Sequence, residues 1–128
     1  MKIKHWLAGL LEWPLRHRQL KLMKSRHSYS KTQFIKDFDN SDAECKIAAE
    51  VWDALRKEAV ISEFKPKPED SLLEVFGLAD EDLDDVVLAL LNSCHCRIPS
   101  NHEIETTSPV YTVADLVKFI ALFKITEV

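Results

Sequence analysis

Glycine is nearly missing from this chain, with two in 128 residues, and proline occurs only five times. A turn-rich β-protein needs both residues for its hairpins, so the shortage points to helices. No apolar run approaches the roughly 20 residues of a membrane-spanning helix. Cysteine occurs three times, two of them one residue apart, which is no disulfide framework and fits a reducing, cytoplasmic location. The start, MKIKHWLAGLLEWPLRHRQL, has a basic beginning and an apolar stretch. Glu12 and Pro14 interrupt that stretch and no small-residue cleavage site follows, so it does not read as a signal peptide. What remains is the length of one domain with an ordinary hydrophobic fraction of 46%.

Acid is also scarce, but only at one end. Residues 1–36 hold nine Lys/Arg and a single acid, Glu12, a balance of +8. Residues 37–128 hold eight Lys/Arg and twenty Asp/Glu, a balance of −12. The chain therefore divides into a basic N-terminal extension, 1–38, and an acidic helical domain, 39–128.

In the extension, Ile3, Trp6, Leu7, Leu10 and Leu11 follow helical spacing, which predicts a short amphipathic helix over 3–13, ended before Pro14. Residues 15–36 read as partly helical or disordered. Three uses suit such an arm. Trp6, Trp13 and the leucines Leu7, Leu10 and Leu11, with flanking lysines, suit a membrane interface, peripheral to the inner membrane. The positive charge would suit nucleic acid, except that the acidic body repels phosphate. The arm could also pack on the body or on a partner.

In the body, Ser41-Asp42-Ala43-Glu44 has the form of a capping box, in which the serine oxygen and the glutamate each satisfy a free amide. Behind it Ile47, Ala48, Val51, Trp52, Leu55 and Ala59 make an apolar face, predicting a helix over 42–60. Pro66 and Pro68 place the next segment in a loop. Ser71-Leu72-Leu73-Glu74 is a second box, opening a single turn over 71–76 before Gly77. A helix over 82–95 carries Leu83, Val86, Val87, Leu90, Leu91 and Cys94 inward and ends at Ile98-Pro99. A short turn near 101–105 precedes a last helix, capped by Thr112 and Asp115, with Val113, Leu116, Val117, Ile120 and Phe123 on its inner face. The expectation is an all-α bundle of three main helices plus short ones.

Chemistry-bearing clusters are few. Cys94-His95-Cys96, with His102 behind it, lacks the pair spacing and the four convergent ligands of a zinc site, and Cys94 continues an apolar stripe. No metal and no catalytic constellation is expected: there is no paired base and nucleophile and no phosphate loop. Asp80, Glu81, Asp82, Asp84 and Asp85 form a dense acidic helix start, suited to the basic surface of a partner protein.

From 42 to 124, about 85 residues, the order of features resembles an acyl carrier protein. PEDSLLEVFG resembles the carrier loop, with Leu72 and Phe76 as its apolar anchors. Leu83-Asp84-Asp85-Val86-Val87-Leu88 resembles the start of the second carrier helix, and Cys96-Arg97-Ile98-Pro99 its ending. Tyr111-Thr112-Val113-Ala114-Asp115-Leu116 resembles the opening of the last carrier helix. The chain is similar to short enterobacterial carrier-like proteins in which an acidic residue replaces the serine that bears phosphopantetheine. The resemblance implies that Asp82, just before Leu83, holds that serine's place, with Glu81 in place of the aspartate before it. Asp70-Ser71-Leu72 has the letters of an attachment site but falls earlier, inside the loop. A carboxylate cannot accept phosphopantetheine, so no cofactor is expected. Ser71, and less well Ser93, would be the fallback serines of a genuine carrier.

Overall fold

The computed structural model describes the backbone over residues 5–39 and 41–125, and side chains from residue 12 onward. Among the described residues it is all-α. Seven helices follow in order: α1 (His5–Met23), α2 (Lys31–Lys36), α3 (Asp42–Glu58), α4 (Leu72–Phe76), α5 (Asp80–Ser93), α6 (Asn101–Thr106) and α7 (Val113–Leu122). The centre is α3 packed against α7, with α2 and α5 also on α3, and α1 laid over α4.

Helical spacing accounts for the core directly. Ile47, Ala48, Val51, Trp52 and Leu55 of α3 are buried against Val113, Leu116, Val117 and Ile120 of α7, and α5 contributes Val86, Leu90 and Leu91. Burying side chains of this size stabilises the fold by about 1.5–3 kcal/mol each relative to exposure. α7 opens with a complete capping box: the Thr112 hydroxyl accepts from the Asp115 amide, and the Asp115 carboxylate accepts from the Thr112 and Tyr111 amides. Those bonds hold the Asp115 carboxyl below its ordinary value against the opposing effect of burial. The serines at 41 and 71 build only half a box each, accepting from Glu44 and Glu74 without the return bond. Glu74 turns instead towards Arg18, 3.5 Å away. Ser30 and Ser100 each cap with a full box, at α2 and α6.

The N-terminal segment departs from expectation. The helix does not stop before Pro14 but runs through it to Met23, and residues 3 and 4 lie outside the described chain. An internal proline removes one hydrogen bond and crowds the preceding turn. Tertiary bonds beyond it hold the second half of α1 in place. Gln19, fully buried, donates to the Val75 carbonyl at 2.8 Å and accepts from the Ile61 amide at 3.0 Å. Leu15 packs over Gly77, where an added Cβ would meet its Cδ1 at 2.7 Å. Arg26 is 5% exposed and makes a two-pronged ion pair with Asp70, at 2.7 and 2.6 Å, while also donating to the Lys65 carbonyl. Phe34 and Phe38 stack edge to face, and Phe34 also packs on Trp52 of α3. Residues 15–36 are therefore partly helical, as the end of α1 and as α2, and the segment is built into the core rather than disordered.

Two smaller boundaries also move. α5 begins at Asp80 and ends at Ser93, two residues before the expected 82–95 at each end, and the expected turn at 101–105 is helix α6.

Candidate functional site at the acidic end of α5

The site begins with a reversal of the chain. α4 ends at Gly77, whose φ of +69° lies in the left-handed region that a glycine enters without strain. Its amide donates to the Leu73 carbonyl at 2.8 Å, and Leu78 closes back on Leu72 at 3.0 Å. Ala79 then starts α5 without a side-chain cap. Asp80 follows at φ +40°, a region that aspartate tolerates better than most residues. With no capping side chain, negative charge in the first turn does the electrostatic work: Asp80, Glu81 and Asp82 lie where the helix dipole favours anions.

Asp80, Glu81, Asp82, Asp84 and Asp85 are all exposed, and none of them forms an ion pair among the described residues. They do not make one patch. Asp82 and Asp85 turn towards α3 and line a cleft of about 370 Å³ with Glu50, Asp53 and Glu58, where Lys57 is the one cation in the lining. Burial, and then the charges of Asp82 and Asp85, push the Glu58 carboxyl above its ordinary value.

Asp84 lies on the other side of α5. It borders an apolar trough of about 640 Å³ between α5, α6 and α7, lined by Leu83, Val87, Leu88, Ile98, Ile104 and Phe119. Leu88, Ile98 and Ile104 are 51%, 62% and 51% exposed, so this is open apolar surface rather than core. The charged residues in its lining are Asp84 and Glu105. Arg97 close by is tied to Glu103 by a fork of two bonds, which with the Ser100 amide holds the Glu103 carboxyl down at about 2.

The other candidate residues fall elsewhere. The Ser71 hydroxyl accepts from the Glu74 amide at 3.0 Å, while Asp70 beside it is locked onto Arg26 and the Lys67 amide. Ser93 is exposed, its hydroxyl bonded to the Leu90 carbonyl at 3.3 Å. Cys94 is buried in the core, and burial pushes its thiol up; Cys96 is partly buried, shifted the same way, and donates to the Ile120 carbonyl. Among the described residues no three His, Cys, Asp or Glu come together as a metal site. Trp6, Leu7, Leu10 and Leu11 stand on α1, with side chains outside the described set.

Sequence reasoning missed the contribution of α3 to the acidic cleft and the exposed trough. For α3 a signal was present, since Glu50, Asp53 and Lys57 are spaced to share one polar face. For the trough there was little, because Ile98 and Ile104 lie outside the regular apolar stripes.

The fold defines an all-α bundle with a split acidic and apolar surface around α5. No family model matches the chain, and no curated protein or solved structure matches it either.

Proposed function

We propose that this protein is a carrier-like adaptor that works without phosphopantetheine and binds a partner protein through the start of α5. It acts by binding, with no catalysis of its own. The observation that carries this reading is Asp84, exposed and in no ion pair among the described residues, at the border of the trough that exposes Leu88, Ile98 and Ile104, just beyond the acidic first turn of α5. A partner with a basic rim and an apolar centre complements that surface in charge and in hydropathy. Asp82 occupies the place that the carrier resemblance gives to the cargo serine. It supplies permanently the negative charge that a phosphodiester would bring to the helix start. Three free thiols fit a cytoplasmic site of action.

Two experiments test the reading. The first incubates the protein with coenzyme A and a broad-specificity phosphopantetheinyl transferase, followed by intact-mass measurement. The expected mass is unchanged; a phosphopantetheine adduct that vanishes in Ser71→Ala would make this a genuine carrier. The second compares capture of proteins by the native chain and by Asp82→Lys/Asp84→Lys. A partner retained by the first, released by salt and lost by the second is expected. Equal retention by both would remove the start of α5 from the interface.

A further inference from the structure

We propose that the outward face of α1 is a docking surface for an anionic lipid bilayer, with a cavity at its C-terminal end that receives a phosphate headgroup. α1 has two different faces. The inner one carries Leu15 over Gly77, buried Gln19, and Leu22 and Met23 packed on the core. The outer one carries Trp13, His17, Leu20 and Lys21, at the offsets of four, seven and eight that return to one side of a helix, and Lys24 follows in the turn just past its end. Trp13 is 69% exposed and Leu20 49%, and Trp13 lies stacked on His17 with ring centres 5.6 Å apart.

Beside this face is a cavity of about 720 Å³ lined by His17, Leu20, Lys21, Lys24, His27 and Lys65, together with Met23 and Arg26; its lining includes no acid. Two of those cations are already engaged in holding the fold: Arg26 by Asp70, and Lys65 by the carbonyls of Arg26 and His27. Lys21 and Lys24 are exposed and form no ion pair among the described residues.

The combination selects a lipid surface. Ammonium groups next to an exposed indole and leucine match a bilayer interface, where the rings and aliphatic carbons enter the acyl boundary and the cations meet phosphates. An acidic protein would satisfy the lysines, but Trp13 and Leu20 would each need a preformed pocket at the right register. A fluid bilayer accepts both wherever they fall. In the sequence Trp6, Trp13 and Leu20 stand at seven-residue intervals, so the same spacing continues upstream. The surface lies on a different element from the acids of α5, since α1 packs on α4 while α5 packs on α3 and α7.

Full-length protein sedimented with vesicles of mixed phosphatidylglycerol and phosphatidylcholine should bind, and should not bind phosphatidylcholine alone. Raising the salt should release it. Lys21→Glu/Lys24→Glu should weaken binding about twentyfold or more, since each cation near an anionic surface contributes roughly fivefold. Trp13→Ser/Leu20→Ser should weaken vesicle binding as well. All four positions are exposed, and circular dichroism identical to native separates lost binding from lost folding. Equal binding to both kinds of vesicle, or native-like binding by the charge variant, would overturn the proposal. Full competition by inorganic phosphate, with the Trp13/Leu20 variant binding as native, would assign the cavity to a free anion instead. Salt-sensitive sedimentation without vesicles, lost in the charge variant, would assign the face to a second copy of the chain.

Discussion

Arg26 and Asp70 stand 44 residues apart in sequence and meet as a two-pronged pair at the heart of the molecule, both about 5% exposed. Removing one partner of a buried pair leaves the other charge uncompensated, at a cost of about 3–5 kcal/mol. Asp70→Ala should lower the denaturation free energy by that amount in urea titration. A loss under about 1 kcal/mol would mean that water reaches the pair, as at a surface bridge. Glu58 offers a test of opposite sign. Its folded-state value is raised, so its stabilising contribution is complete below the unfolded value and is lost as pH rises through the folded one. Glu58→Gln should therefore raise the melting temperature at neutral pH, with the gain closing near pH 4, below the ordinary value of 4.5. At this scale the sequence was partly legible. Ser71 reads as a helix cap from its neighbours, and Cys94 as core from its stripe, because both roles are local. The partner of Asp70 is not, since nothing within a few residues of Arg26 encodes a contact with the loop that closes over it.

Helices α3, α4, α5 and α7 follow from apolar spacing and from serine, threonine and glycine punctuation, and each lies within two residues of where those signals place it. The boxes at Ser30 and Ser100 were present in the pattern too, as serine followed three residues later by Gln33 and Glu103. α1 was not legible past Pro14, because local propensity ends a helix there and only tertiary bonds continue it. Those bonds make a prediction about truncation. Deleting residues 1–30, which removes Gln19 and Arg26, should abolish cooperative unfolding in a thermal scan. Gly77→Ala should cost about 1–2 kcal/mol through its left-handed backbone. A Leu15→Ala background should relieve only the part due to the 2.7 Å contact.

Over the whole molecule, the charge asymmetry read from the sequence corresponds to two surfaces on different elements. A basic face lies along α1, and an acidic region around α5 is itself divided between a cleft and a trough. Composition supplied the asymmetry but not the division, which depends on how α3 and α6 flank α5. Because Phe34 and Phe38 share one core with α3 and α7, the basic segment and the bundle should unfold together. Tryptophan fluorescence and far-ultraviolet circular dichroism should give the same denaturation midpoint; separate midpoints would mean that the N-terminal segment detaches first.

The bonds that clasp α1 also impose an order of events during synthesis. Gln19 finds its acceptor on Val75, 56 residues later. At ordinary translation speeds of about 5–20 residues per second, that interval lasts roughly 3–11 seconds. Over most of it the segment bearing Gln19 and Arg26 carries amide and guanidinium groups whose partners, Val75 and Asp70, have not yet been synthesised. The nascent segment around Gln19 and Arg26 is thus cationic and without its buried partners at first, and it can settle only after the loop reaches Asp70 and α4 has emerged.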